Sequence, residues 1–164
     1  MVIRDATPAD LPRILELNEA WVHFLAPLGR DRLERLHAEA AYHRVVECEG
    51  TVAAFLLAFT EGAAYDSPNY RWFAANCERF VYIDRIVVAA DCRGRGIGEL
   101  LYQDLFAFAA RNRAVQVTCE FDVDPPNDAS RRFHERFGFR EIGTQRVGAS
   151  EKLVSLQAVA LSGS

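Results

Sequence analysis

The 164-residue chain lacks any apolar run near the roughly 18–20 residues that a membrane-crossing helix needs. Its N-terminus, MVIRDATPAD, lacks the charged-then-apolar pattern of a secretory signal. Positive charge is not in excess either. The net charge is −4, which argues against a general electrostatic grip on nucleic acid but leaves room for a small local basic site. The expectation is a soluble, cytoplasmic protein without a nucleic-acid or membrane partner. Paired cysteines are absent. Cys48, Cys77, Cys92 and Cys119 are widely spaced and form no CxxC, which speaks against zinc and against a disulfide framework. Buried free thiols are expected instead. His23, His37 and His43 show no metal-ligand spacing, so no metal is expected. Repeats, low-complexity tracts and linker-like shifts of composition are also missing, and a single domain over 1–164 follows.

Half of the residues are hydrophobic, enough for a real core. VIRDA opens as a strand. A helix follows, with Thr7 as cap, Pro8 in its first turn and Leu11, Ile14, Leu15 and Asn18 on one face. A second helix is expected over about 31–42. RVVECEG and TVAAFLLAF read as a hairpin turning at Glu49-Gly50. Residues 61–78 show no clear period, and a loop of that length suggests function or mobility. FVYIDRIVV is a strand, and Ile97 to about Arg113 is a helix with an apolar stripe. AVQVTCEFDV is a strand, the segment after PPN a helix stopped by Gly138, and two strands close the chain. The order predicts a mixed α/β sheet with helices packed on it.

The segment DCRGRGIGELL carries the most specific chemistry. Glycine is about 1 kcal/mol worse than alanine in a helix, yet Gly94, Gly96 and Gly98 sit at the mouth of one. Glycines let the backbone take left-handed angles and let a ligand approach closely. Successive amides in such a turn form an anion-binding nest, and the helix start adds free N–H groups. Arg93 and Arg95 add charge. Together these suit a pyrophosphate. No Gly-Lys-Ser/Thr follows, which excludes a P-loop, and GxGxG after four strands does not fit a dinucleotide fold.

RGRGIG on a strand-to-helix turn resembles the Arg/Gln-x-x-Gly-x-Gly/Ala signature of the GNAT N-acetyltransferase superfamily, with Arg93, Gly96 and Gly98 at its fixed positions. NDASRRFHERFGF is similar to the family's later Asn-containing helix, and the order of elements agrees along nearly the whole chain. The resemblance implies a mixed, mostly antiparallel sheet of six to seven strands with splayed central strands and flanking helices. It implies acetyl-CoA as cosubstrate, with pyrophosphate on Arg93, Gly94, Arg95, Gly96, Ile97 and Gly98. The pantetheine would bond the backbone of Ile86, Val87 and Val88, and the Val88 amide is the candidate oxyanion donor. Asn127, Ser130 and Phe133 would border the cofactor tail, although Asn127 also reads as a helix cap.

Asn127, Ser130 and His134 share one helix face by spacing, with Phe133 and Phe137 on another, the expected core side. His134 stands where many family members carry a tyrosine acid. It is either the acid for the departing thiolate or a half-exposed helix histidine. Asp84 interrupts an apolar strand and is the first candidate base. It reads equally as an ion-pair partner of Arg85 or Arg79. Glu120 is the second candidate, as base or as the group that binds an ammonium, and Tyr82 the third. Phe24, Tyr82 and Trp72 are candidate acceptor-binding residues, within a set of aromatics that also includes Trp21, Tyr65 and Tyr70 and that packing alone would explain. The reading is an N-acetyltransferase acting on a primary amine of a small molecule or peptide. The rival is a non-catalytic acyl-CoA-binding or regulatory module. A homodimer through the C-terminal strands is compatible with both.

Overall fold

A computed structural model describes residues 1–21, 27–124 and 126–161. Seven strands form one sheet, in the order β1-β2-β3-β4-β5-β7-β6. They are β1 (Val2–Asp5), β2 (Tyr42–Cys48), β3 (Thr51–Thr60), β4 (Phe80–Val88), β5 (Gln116–Asp124), β6 (Arg140–Val147) and β7 (Lys152–Ala160). The helices are α1 (Leu11–Glu19), α2 (Arg30–Glu39), α3 (Pro68–Asn76), α4 (Ile97–Arg111) and α5 (Asp128–Arg136). Every strand pair is antiparallel except β4 with β5. Among the described residues no helix is long and apolar enough to cross a membrane.

The sheet is built around β3, which is buried from Val52 to Phe59 because both of its faces are covered. Ala54, Leu56 and Ala58 join Val81 and Ile83 beneath Ile97, Leu101 and Leu105 of α4. The alternate residues Leu57 and Phe59 face the other way and pack with Tyr70 and Phe73 of α3. Phe55 on that same face meets Leu11, Ile14 and Leu17 of α1. The β2–β3 hairpin turns on Glu49 and Gly50, both at positive φ (56° and 77°). That is the two-residue turn whose twist suits the strands.

Two expectations need correcting. Residues 61–78 are not a long loop, because they contain α3. Ser67 caps it by accepting a hydrogen bond from the Tyr70 N–H, and Pro68 sits at its first position. The four cysteines are free, but only Cys119 is buried; Cys48, Cys77 and Cys92 are half-buried.

The central pairing positions the site. β4 and β5 run parallel and pair only from Phe80–Gln116 to Tyr82–Thr118. Beyond that the two strands diverge. β4 stays paired with β3 up to Val88, and β5 stays paired with β7. One edge of each strand is left facing a gap.

Candidate active site

Two carboxylates sit just past the fork. The last β4–β5 pair is Tyr82–Thr118, and Asp84 and Glu120 each lie two residues further along. Strand periodicity therefore keeps each acid on the same face as the residue before the fork. Their surroundings make them different.

Asp84 is committed on both oxygens. The Tyr65 hydroxyl donates to Oδ1 at 2.6 Å, and Arg85 Nε donates to Oδ2 at 2.8 Å. Both side chains of the Asp84–Arg85 pair are buried, and Arg85 also donates to Asn18 Oδ1 of α1 at 3.1 Å. Asp84, expected as the first candidate base, thus has each oxygen held by a donor, and its expected alternative as the ion-pair partner of Arg85 is what the geometry shows.

Glu120 has no cationic partner among the hydrogen bonds described. The Tyr82 hydroxyl donates to its two oxygens at 2.7 and 3.0 Å, and Asn69 Nδ2 of α3 donates to Oε1 at 2.8 Å. Its carboxyl pKa is pushed up to about 8. Burial is the largest cause, the Tyr82 hydrogen bond opposes it, the Asp84 charge adds to it, and the Asn69 bond opposes it again. A carboxyl that changes charge near neutral pH at the mouth of a gap can take a proton from an amine. Tyr82 itself is fully buried and spends its hydroxyl on Glu120. It supports Glu120 and does not face an acceptor, contrary to expectation. Asn69 was missed because α3 was missed; the Ser67-Pro68 start was the local signal for both.

The gap also exposes backbone. The Ala89 N–H donates to Ala53 O at 2.8 Å, and β3–β4 register pairs Phe55 with Val87 and Ala54 with Val88. Alternation in an antiparallel pair then turns the peptide groups of Ile86 and Val88 toward the gap and that of Val87 toward β3. Val87 is thus corrected as a donor to the pantetheine, while Ile86 and Val88 keep free edges.

The glycine loop opens onto a cleft whose walls include Val88, Arg93, Gly94, Gly96, Gly98 and Phe133. Gly94 and Gly96 lie at φ +78° and +77°, and a Cβ built on either meets nothing within 4 Å. Their glycine identity therefore serves the turn and the space in front of it. Gly96 is the cap of α4, whose first N–H groups point at that space. Gly98 faces the Phe133 ring, with an added Cβ 3.6 Å from it. Ile97 is buried in the core and offers the cleft only its backbone. The Arg93 guanidinium lies 3.7 Å above the Trp21 ring at the end of α1, a cation–π contact. Arg95 is corrected: its side chain points into a neighbouring polar cleft and donates to Cys48 Sγ at 3.6 Å. This cradle, with Arg93 on its wall, fits a pyrophosphate.

On α5, Asn127 accepts from the Ser130 N–H at 3.3 Å, so it caps the helix. The facing predicted from spacing is corrected. His134 is the buried residue of this helix, and Phe133 and Phe137 are half-buried. His134 Nδ1 lies 2.7 Å from the Ser130 carbonyl and Nε2 lies 2.7 Å from the Tyr102 hydroxyl. A carbonyl only accepts, so Nδ1 carries the proton and Nε2 accepts from Tyr102. Burial lowers the imidazole pKa. His134 is therefore neutral and has no N–H aimed at the gap. Trp72 is also corrected as an acceptor contact: its ring lies against Gly143 of β6, where an added Cβ would stand 2.6 Å from it. Phe24 lies outside the described residues.

Residues 11–139 match the family model described as Acetyltransferase (GNAT) family. The chain is 37% identical over 114 residues to a phosphinothricin N-acetyltransferase of Streptomyces coelicolor, a match covering 67% of this chain and 59% of that protein. The structure of Ard1 from Thermoplasma volcanium superposes with a TM-score of 0.80 at 16% identity, covering 99% of this chain and 98% of that one. That of yncA from Salmonella typhimurium with its cofactor acetyl-CoA superposes at 0.74 and 21% identity, covering 100% and 95%. With the forked sheet and the glycine cradle in place, and a family model matched over most of its length, the chain belongs to the acetyltransferase (GNAT) family.

Proposed function

We propose that the protein is an acetyl-CoA-dependent N-acetyltransferase that acts on a primary amine by direct attack. The observation that carries this reading is Glu120, held by the Tyr82 hydroxyl and Asn69 Nδ2 beside the β4–β5 gap with no cationic partner among the hydrogen bonds described, and with burial pushing its carboxyl pKa up. When bound, acetyl-CoA supplies the thioester that the amine attacks. The cradle of Gly94 and Gly96 with Arg93 would hold its pyrophosphate. The free peptide edges of Ile86 and Val88 would align its pantetheine. Glu120 takes one proton from the incoming ammonium. The Val88 N–H stabilises negative charge on a carbonyl oxygen held before it. The second amine proton leaves with the thiol, so no side-chain acid is required, in keeping with a neutral His134.

The relative's name makes phosphinothricin the first acceptor to try. The experiment is thiol release from acetyl-CoA across a panel of amines that includes phosphinothricin. Turnover that Glu120→Gln abolishes supports the reading. CoA binding without turnover of any amine would favour a non-catalytic acyl-CoA-binding module, the reading that His134's engagement with Tyr102 otherwise suits. No CoA-dependent thermal shift, or binding no better than AMP, would overturn both. We further propose a single domain in the cytoplasm, where four free thiols stay reduced. Edge strand β6, with Ile142 exposed, is a surface for pairing with a second copy. Sedimentation at only 18.4 kDa would remove the dimer.

A further inference from the structure

Behind Glu120 runs a chain of side chains from three elements. Gln145 Nε2 of β6 donates to Asn69 Oδ1 at 2.8 Å, and Asn69 Nδ2 donates to Glu120 Oε1 at 2.8 Å. An ionised carboxylate only accepts, so it needs the Nδ2 side of Asn69. The Oδ1 side then faces Gln145, which must present its own amine. All the donors point at Glu120. Resting on the reading of Glu120 as base, we propose that Gln145 and Asn69 form a two-amide relay that holds Asn69 donor-first and thereby favours the ionised carboxylate. Gln145 is a positioning residue, acting through Asn69 with no contact to Glu120 in this network.

Among the other groups around Glu120, the Tyr82 hydroxyl also donates to it and favours the ionised form. From β4 come the Tyr82 hydroxyl and Asp84, the latter with its charge offset by Arg85 and its second oxygen taken by Tyr65. β7 places Leu156 opposite Glu120. Cys119 and Tyr102, which also feel the Glu120 charge, are buried and held neutral. The relay is the one arm whose direction a distant substitution can reverse. In Gln145→Glu the new carboxylate would take the Nδ2 side of Asn69 and turn Oδ1 toward Glu120. That orientation accepts a hydrogen bond from a protonated carboxyl and repels an ionised one.

The test is a carboxyl-carbon NMR titration of the free protein, with the Glu120 signal assigned by its loss in Glu120→Gln. Gln145→Glu should move the Glu120 midpoint upward by about one pH unit. Asn69→Leu, which deletes the donor, should move it the same way and serves if Gln145→Glu does not fold. With acetyl-CoA and phosphinothricin as probe amine, the acid-side limb of kcat/KM, on which activity rises as Glu120 ionises, should shift upward in step. A midpoint unchanged in both variants overturns the relay and leaves the base assignment standing. A wild-type Glu120 that titrates in the ordinary carboxylate range overturns the base assignment, and the relay with it.

Discussion

At Gly96 a single Cβ decides between an empty cradle and a filled one. The residue sits at φ +77°, and a side chain there meets no protein atom within 4 Å. Valine would pay the backbone strain of the left-handed region, about 1–3 kcal/mol, and would otherwise be tolerated by the fold. It would stand where a bound anion lies. Gly96→Val should therefore unfold cooperatively at a somewhat lower temperature and lose its CoA-dependent thermal shift. A full shift in that variant would overturn the assignment of the loop. His134 shows the opposite case, a residue whose role is not written in its type. Spacing alone places it on a polar stripe. Its burial depends on Tyr102, a residue of another helix that supplies the hydroxyl its ring accepts, and on a carbonyl one turn back. Neither partner is visible to a periodicity argument.

Among the elements, α4 and the β2–β3 hairpin were legible because each carries a strong local pattern: an apolar stripe in one, alternation about a turn pair in the other. The hidden element was α3. Only Tyr70 and Phe73 are buried along its nine residues, too few to produce a period. It is held by its Ser67 cap, by the Tyr70 hydroxyl donating to Thr60 O at 2.6 Å, and by Trp72 lying on Gly143. Missing it meant missing Asn69, one of the neighbours that separate the two acids. Asp84 and Glu120 both look like acids in apolar strands; Arg85 and Tyr65 on one and Tyr82 and Asn69 on the other separate them. The docking makes a prediction. Gly143→Ala places a methyl carbon 2.6 Å from the Trp72 ring, so the ring must move. The variant should lose about 1–3 kcal/mol of stability in urea titration, with tryptophan fluorescence altered in the native baseline. An unchanged midpoint would mean that α3 is not anchored there.

For the whole molecule, the raised Glu120 carboxyl is a stability statement. Its folded pKa of about 8 lies above the ordinary value of 4.5. Between those values the native state binds a proton that the unfolded chain has released. The contribution is therefore full below the ordinary carboxylate range and is lost as pH rises toward 8. Glu120→Gln removes this dependence. The variant should melt higher than wild type at pH 8, by about 3–10 °C, and the gap should close toward pH 4.5. A calorimetric pair of pH series checks it; equal melting temperatures at pH 8 would show that burial does not tax this group. The fork has a wider consequence. It is a sheet with its middle rungs removed, and a ligand that supplies them becomes part of the scaffold. Once free ligand exceeds its Kd, each tenfold rise adds about 1.4 kcal/mol to the unfolding free energy. A ligand seated in the fork would therefore raise the cost of opening the sheet there, and limited proteolysis with and without CoA would read it as slower cleavage.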